Sequence, residues 1–255
     1  MQIKSIESSR WLLSLLPALF IFFLVTCSTP PEQNEKKVLE VDVPVVNKPD
    51  RVLNVAFLIV NGVFNSELVA PMDILHHTVF HTDPGMMVFT VSPDSVPITT
   101  FEGLKIIPDY AIGDQGMPSI DVLVVPSAEH SMTTDLENEV LISFVKSTGN
   151  SADYVMSLCD GAFVLAKAGL TNDHESTTFP SDIPKYREMF PELKVHEGVS
   201  FVHDDNLITS AGGAKSYDPA LYLVELLYGR DAAIGVGKGL VIDWDLNNID
   251  HLIIR

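Results

Sequence analysis

From residue 52 onward the chain alternates continuous apolar runs with segments of helical period. Residues 52–60 form an apolar run of strand length, and 66–77 read as a helix interrupted by Pro71. Residues 86–91 form a second strand, and Asp121-Val-Leu-Val-Val-Pro126 a third. Two hairpins are predicted, over 98–107 with its turn at Glu102-Gly103 and over 201–210 with its turn at Asp204-Asp205-Asn206. Helices are predicted over 136–146 and 219–228. Strands that are apolar on both faces and alternate with helices imply a parallel sheet covered on two sides. The predicted fold class is therefore α/β with a mostly parallel central sheet. Ligands of such sheets bind beyond the carboxyl ends of the strands, so the loops after Val60, Pro126 and Leu158 should share one edge.

The run Tyr154-Val-Met-Ser-Leu leads straight into Cys159, followed by Asp160-Gly161-Ala162 and an alanine- and leucine-rich helix closed by Gly169. A thiol on such a strand-to-helix turn is lifted out of the backbone toward solvent, as in a nucleophile elbow. The helix N-terminus behind it favours a thiolate. The alternative is a buried structural cysteine, because free cysteine is among the most buried residue types.

The N-terminal segment has a separate character. Lys4 and Arg10 precede a nearly unbroken apolar stretch over 11–25, which matches a secretory signal and is short for a spanning helix. Leu24-Val25-Thr26-Cys27 resembles a bacterial lipobox, with Thr26 where Gly, Ala or Ser is usual. Cys27 is thus the expected lipidation site, and an uncleaved anchor or a soluble secreted form are the alternatives. All three place the protein in the cell envelope, at the membrane surface or in the periplasm. Residues 28–50, rich in Pro, Glu, Lys and Asn, read as a flexible linker. The folded domain spans 51–245, with a tail over 246–255.

Composition excludes one class of partner. With 34 acidic and 16 basic residues the formal charge is −18, and no Lys/Arg cluster offers a surface for nucleic acid. The chain has only two cysteines, so lipidation of Cys27 leaves Cys159 unable to form an intramolecular disulfide. Asp73, His77 and His81 fall on one helical face, a spacing that a metal could use but that is far commoner as a solvated face. Gly235-Val-Gly-Lys-Gly239 lacks the spacing and the preceding strand of a dinucleotide loop. Trp244, between Asp243 and Asp245, reads as packing at the surface. No metal and no cofactor is expected.

The elbow Cys159-Asp-Gly-Ala-Phe-Val-Leu-Ala-Lys-Ala-Gly-Leu170 resembles that of the ThiJ/PfpI superfamily, which includes the parkinsonism-associated deglycase, PfpI-type proteases and isonitrile hydratases. Asp121–Pro126, Ser176-Thr-Thr-Phe-Pro180, Leu207-Ile-Thr-Ser-Ala-Gly212 and Tyr217-Asp-Pro-Ala-Leu-Tyr-Leu-Val-Glu225 follow in the expected order, so the resemblance spans about residues 52–240. It implies a flavodoxin-like, class I glutamine amidotransferase-like three-layer sandwich and a homodimer. It also implies that Cys159 is the nucleophile and that Glu67, four residues before Pro71, is its acidic partner, with a pKa raised by shielding. An acid in the first turn of a helix is also favoured by the dipole alone.

The resemblance further implies that the backbone N–H of Asp160 is one oxyanion donor and that the loop after Pro126 supplies a second. That loop reads Ser127-Ala128 where relatives carry Gly-Gly, and His130 follows close by. Phe179 stands where many relatives carry a histidine, which excludes a Cys–His pair built there. Two functions are expected from this pattern. One is a hydratase- or hydrolase-like enzyme acting through Cys159 on a small electrophilic carbon such as an isonitrile or a reactive carbonyl. The other is a non-catalytic envelope protein that senses oxidants through a low-pKa thiol or binds a small ligand.

Overall fold

The computed structural model describes residues 48–254. The signal-like segment, Cys27 and most of the linker therefore lie outside the described residues. In chain order the strands are β1 (Leu53–Leu58), β2 (Met86–Ser92), β3 (Ile98–Thr99), β4 (Lys105–Ile106), β5 (Tyr110–Ala111), β6 (Val122–Val125), β7 (Tyr154–Leu158), β8 (Glu175–Ser176), β9 (Lys194–Val195), β10 (Phe201–Asp204), β11 (Leu207–Ser210) and β12 (His251–Ile254). The helices are α1 (Asn65–His77), α2 (Glu139–Gly149), α3 (Gly161–Ala168), α4 (Ile183–Met189), α5 (Tyr217–Tyr228) and α6 (Arg230–Gly239).

Eight strands form the central sheet in the order β12-β10-β11-β7-β6-β1-β2-β5. Its pairings are parallel except for the β10–β11 hairpin. Alternate residues of each strand point to opposite faces, which is why the strands are apolar throughout. Val55, Phe57, Val122, Val124 and Met156 pack under α1, α5 and α6, against residues such as Leu68, Ile74 and Tyr222. Ala56, Leu58, Leu123, Val125 and Val155 pack on the other face with Leu141 and Val145 of α2 and Phe163 and Leu165 of α3. The result is a flavodoxin-like three-layer sandwich.

Three elements differ from the sequence reading. Residues 246–255, read as a tail, contain β12, which pairs with β10 from Phe201↔His251 to Asp204↔Ile254 and closes one sheet edge. The helix expected from 136 starts at Glu139, because the Asn138 side chain accepts the Leu141 N–H at 3.1 Å and caps it. The glycine run 235–239 lies on α6, whose Ala233 and Val236 are fully buried. There Gly235 lies against the His81 ring and Gly237 against the Ile242 carbonyl, so close packing rather than propensity holds this helix.

Candidate active site

The carboxyl end of β7 is set by backbone constraints. Cys159 has φ +54°, a left-handed conformation that a residue with a Cβ enters only at a cost. Its N–H donates to the Ser210 carbonyl at 3.0 Å, continuing the β7–β11 pairing. Two glycines clamp the turn. A Cβ on Gly212, itself at φ +72°, would lie 2.3 Å from the Cys159 Cβ, and one on Gly161 would lie 2.0 Å from the Val125 carbonyl oxygen. Neither position has room for any side chain.

This turn aims the sulfur at α1. Glu67 occupies the first turn of that helix, only 4% exposed, and hydrogen-bonds the Cys159 sulfur. Its carboxyl also accepts two backbone N–H groups, from Gly213 at 3.1 Å on Oε1 and from Ser127 at 3.2 Å on Oε2. Burial raises the Glu67 pKa, against the pull of the cysteine contact and of the two N–H groups. Two backbone N–H groups thus hold the Glu67 carboxyl beside the turn.

Cys159 departs from expectation in one respect. It is 6% exposed rather than lifted into solvent. Burial raises its pKa well above that of a free thiol, and the nearby charges of Glu67 and Asp160 raise it further, while the Asp160 N–H lowers it. The helix N-terminus does not win: desolvation and two acids outweigh it. The balance of these influences favours the neutral thiol over the thiolate.

Asp160 is also buried. Its carboxyl accepts the Thr178 hydroxyl at 3.0 Å. Burial and then the Asp182 charge push its pKa up to about 7. A group whose folded pKa is raised binds its proton more tightly when folded. Its contribution therefore favours the fold below the usual aspartate range and is lost as pH rises from there toward 7.

With this geometry in hand, comparison with known proteins is decisive. Residues 53–226 match the DJ-1/PfpI family. The chain belongs to that family. It is 33% identical over 184 residues to the isonitrile hydratase of Pseudomonas putida, covering 71% of this chain and 75% of that protein. It is 26% identical over 142 residues to protein dj-1beta of Drosophila melanogaster, covering 56% and 74%. An HTH-type transcriptional regulator of Pseudomonas aeruginosa is 24% identical over 165 residues, which is 64% of this chain and 43% of the regulator. The crystal structure of Drosophila DJ-1beta superposes with a TM-score of 0.66 at 22% identity, covering 76% of this chain and all of that one, and so shares the fold.

The remaining expected site residues of this DJ-1/PfpI protein fare unevenly. Ser127 lies beside Glu67, and the N–H groups of Ser127 and Ala128 are both engaged within the protein. Ser127 N–H is held by Glu67, and Ala128 N–H donates to the Ser131 hydroxyl at 2.8 Å. The expected second oxyanion donor is thus committed internally. His130 is half exposed, 3.9 Å from Glu129 Oε2, and lines a separate cavity of about 280 Å³ with Asn61, Asp135 and Asn138. Phe179 is 38% exposed and starts the turn Pro180–Asp182. His77 lies 3.0 Å from Asp73, but α1 ends there and His81 follows a separate turn, so the three do not share one helical face. Among the described residues no group of three His, Cys, Asp or Glu side chains could hold a metal. Trp244 is buried, its Nε1 donating to Glu225 at 2.6 Å. Gly213 and Thr178 are site residues to which sequence reasoning gave no role, although Thr178 stands in the Ser176–Pro180 segment that carries the resemblance.

Proposed function

We propose that this DJ-1/PfpI protein is a cysteine-dependent hydratase of small electrophilic carbons, with isonitriles as the substrate class. The hydrogen bond between Glu67 and the Cys159 sulfur at the constrained turn carries this reading. The likeness to an isonitrile hydratase over three quarters of that protein supports it. The thiol proton passes to Glu67 while sulfur bonds the terminal carbon of the isonitrile. That carbon then takes the proton from Glu67, giving a thioimidate, Cys159–S–CH=N–R. Water adds to the carbon, the C–S bond breaks, and an N-substituted formamide leaves with the thiol restored. The Asp160 N–H steadies charge on sulfur along this path.

The alternative of a low-pKa redox sensor is weakened by the raised thiol and its burial. Turnover of a panel of small isonitriles to formamides, with methylglyoxal alongside, tests the reading. Glu67→Gln keeps one of the two acceptor contacts, which fall on different oxygens, and cannot take the thiol proton. It is expected to lower kcat/KM by about 10²–10⁴-fold, the range of a lost general acid–base group. Formamide production unchanged in that variant would remove Glu67 from the reaction.

We further propose export and lipid anchoring through Cys27, on the strength of Lys4, Arg10, the apolar stretch after them and the lipobox-like Leu24–Cys27 segment. Metabolic labelling with a fatty acid should mark the wild-type chain and not Cys27→Ala. Equal labelling of both would refute it.

A further inference from the structure

Thr178 is completely buried, and its hydroxyl lies 3.0 Å from the Cys159 carbonyl oxygen and 3.0 Å from Asp160 Oδ1. It reaches the elbow from the segment after β8, and the residue before it is pinned twice. Thr177 N–H donates to Thr209 Oγ1 of β11 at 2.9 Å, and the Thr177 hydroxyl donates to the His196 carbonyl at 2.9 Å. The carbonyl that Thr178 grips belongs to the peptide group whose other end is the Asp160 N–H. A peptide group is planar and trans, so its C=O and N–H point in opposite directions. A hydroxyl that holds the carbonyl on one side therefore fixes the N–H on the other. That N–H has no oxygen acceptor among the described residues and meets the Cys159 sulfur. The carbonyl's other partner, the Ala162 N–H at 3.3 Å, belongs to the elbow's own helix. Among the described residues Thr178 alone holds this peptide from a distant part of the chain. Its bond to the carbonyl also polarises the group, which makes the N–H a stronger donor.

We propose that Thr178 is the positioning residue of the elbow, its hydroxyl setting the Cys159–Asp160 peptide so that the Asp160 N–H faces the charge that develops on sulfur. This deepens the hydratase reading and rests on it for the consequence in turnover. Negative charge gathers on sulfur twice in that reaction. It does so first as Glu67 takes the thiol proton, and again as the C–S bond breaks and its electron pair returns to sulfur. A donor already aimed at that atom stabilises both moments without reorganising. Thr178 acts through the peptide and exchanges no proton. Its single hydroxyl hydrogen lies between two oxygens, so the Asp160 carboxyl and the peptide before it are tied to one point. The segment that brings Phe179 to the elbow thus contributes through the residue before it, by a hydrogen bond to backbone instead of an imidazole beside the thiol.

Two substitutions in the full chain test this. Thr178→Val removes the hydroxyl and keeps the shape, whereas Thr178→Ser keeps the hydroxyl and removes the methyl group. With small isonitriles, kcat is expected to fall about tenfold or more in Thr178→Val with KM within about twofold, and Thr178→Ser should recover kcat to within about threefold of the wild type. A second readout needs no isonitrile. Alkylation of Cys159 by iodoacetamide at about pH 9, followed by peptide mass spectrometry, should slow about threefold or more in Thr178→Val and return in Thr178→Ser. A merely loosened elbow would instead expose the buried thiol and speed its alkylation. If valine prevents folding, Thr178→Ala takes its place against the same serine control. A wild-type rate of alkylation or of turnover in the hydroxyl-free variant overturns the proposal, as does a serine variant as slow as the valine one. Wild-type protein that hydrates no isonitrile overturns the hydratase reading, and the alkylation rates then decide separately whether Thr178 positions the N–H.

Discussion

Cys159→Ala is expected to abolish isonitrile hydration, lowering kcat by a factor on the order of 10⁴ or more, as removal of an attacking group does elsewhere. The substitution retains a Cβ and hence the same constrained backbone, with φ still near +54°. Glu67 keeps its N–H donors from Ser127 and Gly213, so the carboxyl should stay in place. The loss should therefore be one of chemistry, with a circular dichroism spectrum and urea midpoint close to the wild type. Formamide production persisting in this variant would place the reaction at another group. Unfolding of the variant would show that the sulfur is a packing atom, and the paired activity and stability measurements separate the two outcomes.

The second large effect is on stability. Gly161→Ala places a methyl group 2.0 Å from the Val125 carbonyl oxygen, a distance no pair of atoms tolerates. Relief requires the start of α3 to move off the end of β6. Both elements are fully buried there, with Val125 and Ala162 in the same apolar layer. Overpacking of this kind costs about 3 kcal/mol or more. For a domain of this size that lowers Tm by roughly 6–12 °C. Gly116→Ala is the matched control: open space surrounds it and its φ is not in the left-handed region, so stability should stay within about 0.5 kcal/mol. Equal Tm values for the two variants would show that the elbow does not pack as described.

Most of the architecture is legible in the chain because apolar runs and their punctuation report burial directly. The strands β1, β2, β6 and β7 and both hairpins follow from that signal alone. Cys159 and Glu67 were also within reach, since each stands in a recognisable local setting. What escaped depends on distance in space rather than on local pattern. The return of the loop from Ser176 to the elbow, where Thr178 bonds Asp160, shows only in the resemblance that sets residue 179 beside the cysteine, and no local pattern reports it. The engagement of Ser127 and Ala128 N–H groups arises from Glu67 and Ser131, and only packing reveals it. Helix α6 was hidden by glycines that lower helix propensity, and β12 by a short run that gains its meaning only beside β10.

The burial of the thiol has a related origin. A helix N-terminus is visible in sequence, whereas the low-dielectric surroundings that raise the pKa are assembled from α1, β7 and the loop after β11. Local sequence offers both outcomes, a thiolate at a helix N-terminus and a buried cysteine, and contains nothing that weighs one against the other.

The left-handed backbone at residue 159 sets heat tolerance against chemistry at a single codon. Glycine would relieve about 1–2 kcal/mol there, and asparagine part of it, yet neither carries a sulfur. A laboratory selection that rewards only survival of heating would thus drift toward inert proteins, and any effort to toughen this scaffold must hold that position fixed.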